Sequence, residues 1–96
     1  MPTHPDPRLP VAQAARLFSL LGDETRLRLL LRLAEGKDLS VTALAEAFGM
    51  SQPALSHHLQ RLRLAGAVTC RREGNNNFYA LAPGPTRDLL LSNVRL

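Results

Sequence analysis

The chain has 96 residues, 45% of them apolar, which is enough for one domain with one hydrophobic core and too little for two. It carries 12 Lys and Arg against 8 Asp and Glu, a formal net charge of +4, which favours a polyanionic partner over an acidic one. One cysteine and no run of eighteen apolar residues argue against a disulfide scaffold and a membrane-spanning helix, and they favour a reducing cytoplasm.

The first ten residues have the composition of an arm, and the next eleven have that of a helix. Residues 1–10 contain four prolines and no apolar period, so we expect a flexible arm followed by one domain over residues 11–96. Residues 11–21 show apolar positions at helical spacing, in a stripe wider than one face. We expect a helix this apolar to pack against two partners.

Three further helices are predicted between residues 23 and 66. Asp23, Ser40 and Ser51 each precede an apolar period and have a side chain that can cap a helix start. Gly49 ends the third helix after about two turns, where glycine adopts a left-handed backbone at little cost. The positions predicted to face inward are Leu27, Leu30, Leu31 and Ala34 in the second helix, Val41, Leu44, Ala45 and Phe48 in the third, and Leu55, Leu59 and Leu62 in the fourth.

The pattern then changes to that of strands. Residues 67–72 and 78–82 have strand character and are joined by the polar loop 73–77, whose Gly and Asn tolerate positive φ. Helix character returns over residues 86–94, which are again too apolar for a lone surface helix. The predicted fold is mainly α with a β-hairpin wing, in the order α-α-α-α-β-β-α, and forms a homodimer through its N- and C-terminal helices. The expected dimer interface residues are Val11, Ala14, Leu17, Phe18, Leu89, Leu90 and Val94.

A short helix, a tight turn and a longer capped helix predict a helix-turn-helix, the motif that places its second helix in the major groove of DNA. At about 100° per residue, an inward line of leucines in the fourth helix places His57 on the outer side. We therefore predict a winged helix-turn-helix whose polar side chains read base edges and whose arginines hold phosphates. The candidate DNA-binding residues are Ser51, Gln52, Ser56, His57, His58, Gln60, Arg61, Arg71, Arg72, Asn75 and Asn76.

Three stretches resemble the ArsR/SmtB family of bacterial winged-helix repressors. Residues 21–30 read LGDETRLRLL, like the start of the family's second helix, and residues 51–59 read SQPALSHHL, like its recognition helix. Residues 71–74 read RREG and are followed by FY at 78–79, like the family's wing. The resemblance covers about residues 11–81. It implies a homodimer that binds an inverted repeat in double-stranded DNA and responds to an effector. Leu64 departs from the pattern, because the family more often has a charged residue there.

The metal-sensing sites of the family are not matched. Where many relatives have a cysteine pair, residues 39–42 read LSVT, and the C-terminal stretch 86–96 offers only Asp88 and no histidine. A bound metal ion needs three or four ligands. We therefore expect no metal, no cofactor, and an effector that is either non-metal or unknown.

Cys70, His57 and His58 bear on alternative functions. Cys70 lies beside Arg71 and Arg72, in surroundings that make thiols reactive, so a redox-switched repressor is one alternative to an ordinary strand cysteine. His57 and His58 are adjacent and about 100° apart on a helix, so they cannot chelate one ion. No nucleophile with a base and an orienting acid is recognisable, and we expect no enzyme. A protein-binding winged helix and a small metal- or thiol-dependent enzyme stay open as further alternatives.

Overall fold

The structure, a computed structural model, describes residues 8–36 and 38–96, so most of the predicted arm lies outside the described residues. The described elements are α1 (Val11–Leu21), α2 (Glu24–Leu33), β1 (Leu39–Ser40), α3 (Val41–Phe48), α4 (Gln52–Leu64), β2 (Val68–Glu73), β3 (Asn76–Leu81) and α5 (Pro85–Asn93). This is the predicted winged helix-turn-helix order with one short strand, β1, added before α3. None of the helices in the described ranges is long and apolar enough to cross a membrane.

Three helix starts are fixed by the predicted caps. The side-chain oxygens of Asp23, Ser40 and Ser51 each accept a hydrogen bond from the backbone N–H three residues further on, at 3.1 to 3.3 Å. These bonds satisfy N–H groups that the first turn of a helix leaves without partners. At Asp23 the hydrogen bond from the Arg26 N–H favours the carboxylate and lowers the pKa of Asp23.

The core is a cluster of leucines between the helices and the inner face of the sheet. The predicted inward face of α4 is confirmed. In α3, Leu44 and Ala45 are buried, while Val41 and Phe48 are half-buried against the core. The predicted inward face of α2 is partly wrong. In α2 the buried residues are Leu29, Leu30 and Leu33, while Leu27 and Leu31 are only half-buried. Leucine occupies both faces of α2, so its periodicity does not define one inward direction; its packing against α1, α4 and β3 decides.

The three strands form an antiparallel sheet in the order β1-β3-β2. The hairpin turn is shorter than predicted, because both strands extend and leave only Gly74 and Asn75 between them. Gly74 has a φ of 59° and Asn75 has no positive φ, which is the pattern of a type II′ turn. In β1, Leu39 and Ser40 pair with the middle of β3. Two residues are too few to show the alternation by which a strand is recognised in a sequence.

Candidate nucleic-acid interface

The turn between α3 and α4 consists of Gly49, Met50 and Ser51. Gly49 takes the left-handed conformation with a φ of 62°, and the N–H of Met50 donates to the carbonyl of Ala45 at 3.0 Å. A methyl group added at Gly49 would have no heavy atom within 4 Å, so glycine is needed here for its backbone angle and not for space. This turn sets the direction in which α4 leaves α3.

Helix α4 has a fully buried side and a polar, exposed side. Leu55, Leu59 and Leu62 are 0% exposed and attach the helix to the core. His57 is exposed, as its rotation around the helix predicts. The other predicted residues divide into two groups: Gln52, Gln60 and Arg61 are exposed, and Ser56 and His58 are half-buried. The sequence-predicted surface therefore exists, with two of its members turned partly inward.

His58 is the member most involved in the fold. Its Nδ1 atom is enclosed and has no hydrogen-bond partner in the described part of the chain. The ring of His57 lies edge-on, with 6.5 Å between the ring centroids. His58 lies near the start of α2, close enough to Asp23 to be among the smaller influences on the pKa of that carboxyl. His58 is therefore less available to DNA than His57.

A contact between the two helices of the motif was missed at the sequence level. The Nε2 amide of Gln52 donates to Oγ1 of Thr42, at the start of α3, over 3.3 Å, and both residues are exposed. The two positions are ten residues apart, and only the crossing of α3 and α4 brings them together. In a helix-turn-helix the first helix crosses the DNA backbone, so Thr42 joins the candidate contacts.

Arg71 is held inside the wing by three contacts. Its guanidinium lies 4.8 Å from the ring centre of Phe78, its partner on β3, and forms ion pairs of 2.8 Å with both Glu73 and Asp38. Hydrogen bonding to Glu73, then to Asp38, raises the pKa of Arg71. Asp38 precedes β1, so this side chain crosses the central strand and joins the two outer strands of the sheet. A phosphate contact by Arg71 stays a prediction, and it competes with these carboxylates.

Arg72 has a different environment. Its Nε donates to the carbonyl of Gly74 at 3.1 Å, within the wing turn. In residues 8–36 and 38–96 no carboxylate lies within ion-pair distance of Arg72, and it shares the exposed tip with Asn75 and Asn76. The wing tip thus presents the Arg72 cation and the amides of Asn75, Asn76 and Asn77 to solvent, beside the Glu73 carboxylate that pairs with Arg71.

The residues predicted for the dimer interface do not all share one surface. Val11, Phe18 and Val94 are exposed, with 85%, 58% and 37% of their surface accessible. Leu17 and Leu90 belong to the buried core of the protomer and are not available to a second copy. Ala14 and Leu89 are half-buried. Two exposed leucines near the C-terminus, Leu91 and Leu96, were not among the predicted residues.

Cys70 is half-buried on β2, opposite Tyr79 on β3. Burial raises the pKa of Tyr79, and its hydrogen bond with Cys70 raises it further. A redox role for Cys70 stays a prediction. Among the residues that the structure describes, no three His, Cys, Asp or Glu side chains gather where they could hold a metal ion.

Sequence comparison identifies the protein family in which this architecture occurs. The family model described as "Bacterial regulatory protein, arsR family" matches residues 23–69, from the cap of α2 into β2. An uncharacterized HTH-type transcriptional regulator of Methanocaldococcus jannaschii is 37% identical over 78 residues, which are 81% of this chain and 88% of that protein. The chain belongs to the ArsR family. The arsenical resistance operon repressor of Escherichia coli is 43% identical to this ArsR-family protein over 68 residues, which are 71% of the chain and 58% of that repressor.

Structural comparison agrees with this assignment. The homodimeric winged helix-turn-helix DNA-binding domain of a possible ArsR-family transcriptional regulator from Mycobacterium bovis, solved in solution, matches with a TM-score of 0.78 and 35% identity. The match covers 85% of this chain and 75% of that one. The predicted fold and family are therefore confirmed, and both are those of DNA-binding transcription regulators, not of enzymes.

Proposed function

We propose that this ArsR-family protein is a cytoplasmic transcriptional repressor that binds an inverted-repeat operator as a homodimer. The observation that supports it most directly is the division of α4 into a leucine side fixed in the core and an exposed polar side. A helix held in this way presents a rigid row of side chains, which is what reading of base edges requires. The family and the E. coli repressor support the regulatory role.

The exposed residues divide by the chemistry they offer. Gln52 stands at the start of α4, where a docked recognition helix meets the bases, and glutamine pairs bidentately with adenine. His57 can donate to a guanine or to a phosphate oxygen. Ser51 is a weaker base reader, because its hydroxyl already accepts the N–H of Ala54. Ser56 is also a weaker base reader, because it is half-buried and less accessible to DNA.

Arginines supply the sequence-independent part of the affinity. Arg61 is exposed on α4, and Arg72 is exposed on the wing without a carboxylate partner in the described ranges. Each phosphate neutralised by such a side chain releases condensed counterions and makes binding depend on salt. Arg72 is the better candidate of the wing pair, because Arg71 is already paired with two carboxylates.

A second copy of the chain is the partner proposed for the terminal helices. Val11 and Phe18 on α1, and Leu91, Val94 and Leu96 at the C-terminal end, expose apolar surface that a soluble monomer rarely leaves open. The M. bovis domain, which has the same fold, is homodimeric. Two-fold symmetry then places two recognition helices on successive major grooves, with half-sites separated by about 10 base pairs or a multiple of that.

The experiment is selection of binding sites from random DNA, followed by fluorescence anisotropy of point variants at several salt concentrations. We expect His57→Ala to lower discrimination between operator and unrelated DNA by about 1–3 kcal/mol. Arg72→Ala should weaken binding to both DNAs alike and reduce the salt slope by about 1. Arg87→Ala, an exposed arginine of α5 outside both the helix-turn-helix and the wing, is the matched control for loss of one positive charge.

Two results would contradict the proposal. Selected sites without two-fold symmetry would rule out the homodimer geometry. Affinity for DNA that does not fall as salt rises would remove the phosphate contacts and favour the alternative, a winged helix that binds another protein.

A further inference from the structure

A groove of about 860 Å³ lies between α1, the C-terminal end of α4 and the start of α5. This volume is within the roughly 300–1,000 Å³ of typical small-molecule sites. No acidic residue in the described part of the chain lines it. The side chains that matter here are Arg16, Arg26, Arg61, Leu17, Leu20 and Leu64. Three cations and four leucines, of which Leu9 is the fourth, line one concave surface and suit a ligand that is both anionic and apolar.

Arg26 is the least solvated of the three cations, with 12% of its side chain exposed. Its Nε donates to the carbonyl of Leu20 at 2.8 Å, and its nearest carboxylate oxygen, on Asp23, is 3.9 Å away, beyond hydrogen-bond distance. A guanidinium has five N–H donors, so Arg26 has donors left for another acceptor. A partly desolvated cation is stabilised strongly by an anion that completes its hydrogen bonds.

Arg16 and Arg61 add two exposed charges to the same groove. Within residues 8–36 and 38–96, none of the ion pairs involves either of them. Their positive charges are therefore not compensated locally, and a concave wall concentrates the resulting potential. Two carboxylates stand on elements around the groove without lining it: Asp23, 3.9 Å from Arg26, and Asp88, in the first turn of α5.

Leu64 provides exposed apolar surface in the groove, against which an apolar part of a ligand can pack. It is 83% exposed, three residues after Arg61 on the same helix, and therefore adjacent to it on the helix surface. Leu17 and Leu20 form the wall on α1. An apolar body lying between these leucines would remove Leu64 from water, which gives a role to the residue that departs from the family pattern.

The groove is also distinct from the surface proposed for the second copy. On α1, Arg16 and Leu20 lie about 170° around the helix from the exposed Val11 and Phe18, at about 100° per residue. One face of α1 is thus available for dimerisation while the opposite face lines the groove. A small ligand can therefore occupy the groove in a dimer formed through Val11 and Phe18.

We infer that this groove binds a small organic acid, with the carboxylate among Arg16, Arg26 and Arg61 and an apolar chain or ring against Leu64. A carboxylate matches the planar fork of a guanidinium bidentately. Binding also regulates the protein, because Arg61 is withdrawn from the DNA phosphate that it is proposed to contact. This second step rests on the proposed function, whereas the binding site does not.

The test is isothermal titration calorimetry of the full chain with decanoate, and with decanol and acetate as its uncharged and short-chain counterparts. We expect one decanoate per chain and binding of the other two compounds at least about tenfold weaker. Arg16→Gln and Leu64→Gln should each weaken decanoate at least about tenfold. Arg63→Gln, which removes the same charge from an exposed position of α4 outside the groove, should change it less than about twofold.

Three outcomes would overturn the binding site. Equal affinities of decanol and decanoate would show that the arginines take no part in binding and would reject the site. An Arg63→Gln effect as large as that of Arg16→Gln would show non-specific attraction of an anion to a basic protein. Dissociation of the ligand-free dimer by Leu64→Gln, seen by sedimentation, would assign the groove to the second copy.

The regulatory step is measured separately on the selected operator. Saturating decanoate should lower operator affinity at least about fivefold in the wild type, the lower end of usual coupling between sites, and leave it unchanged in Arg16→Gln. Decanoate that binds without changing operator affinity would refute the regulation and leave the site standing. A protein that binds no DNA would refute the proposed function, while calorimetry would still decide the groove.

Discussion

Gly49 allows a quantitative test of how the helix-turn-helix is built. Its φ is 62°, and a methyl group there would meet no heavy atom within 4 Å, so the cost of Gly49→Ala comes from the backbone alone. That cost is about 1–2 kcal/mol for an L-residue in the left-handed region, and it is partly offset by the reduced freedom of alanine in the unfolded chain, about 0.4–1 kcal/mol. The net loss is about 1 kcal/mol, which corresponds to a fall in Tm of about 4–8 °C for a domain of this size.

The assay is urea unfolding followed by circular dichroism, at one protein concentration because dimerisation contributes to apparent stability. Asparagine visits the left-handed region more readily than alanine, so the expected order of stability is wild type, Gly49→Asn, Gly49→Ala. The slope of free energy against urea should stay constant across the three proteins. Equal midpoints for wild type and Gly49→Ala, or an asparagine variant less stable than the alanine variant, would refute the reasoning.

Three further changes probe the core, a cap and the wing. Leu30 is fully buried, so Leu30→Ala should lower the free energy of unfolding by about 2–5 kcal/mol, whereas Leu64→Ala, at an exposed site, should lower it by less than about 0.5 kcal/mol. Similar losses for the two variants in urea unfolding would contradict this description of the core. The pKa of Asp23 lies below its ordinary value of 3.8, so its cap stabilises the fold above that pH and stops doing so as the pH falls through the lowered value. Calorimetry should therefore show a Tm gap between wild type and Asp23→Ala that is constant from about pH 7 to 5 and closes below about pH 4, and a gap that widened in acid would have the wrong sign. Arg71→Gln should lower the Tm more than Arg72→Gln, because Arg71 has two ion pairs and a ring contact while Arg72 has one hydrogen bond in its own turn; equal shifts in thermal unfolding would argue against the bridge.

Local signals in the sequence were sufficient for most of the fold. The caps at Asp23, Ser40 and Ser51 depend on a side chain and an N–H three residues apart, so the sequence contains all that decides them. Helix α2 shows the limit of periodicity, because leucines surround it and only its neighbours select Leu29 and Leu33 for the core. Strand β1 forms because its two residues pair with β3. A two-residue segment is too short for its own sequence pattern to predict a strand.

The candidate site shows the same difference between features set by local sequence and features set by contacts between distant residues. The outward position of His57 depends on rotation within one helix and was predictable. Arg71 was predicted only as a phosphate contact, because its partner Asp38 is 33 residues away and nothing in the spacing relates them. Leu17 and Leu90 were assigned to the dimer from apolarity alone, which does not distinguish the inside of a subunit from its contact with another.

The bridge made by Arg71 has a consequence for engineering. It fastens β2 to Asp38 two residue pairs before the hairpin turn, whereas in the described part of the chain no long-range hydrogen bond or ion pair reaches Gly74 or the side chain of Asn75. Loops of altered length and composition can therefore be grafted between β2 and β3 without loosening the scaffold. We expect a library built at these two positions to retain the melting behaviour of the parent protein.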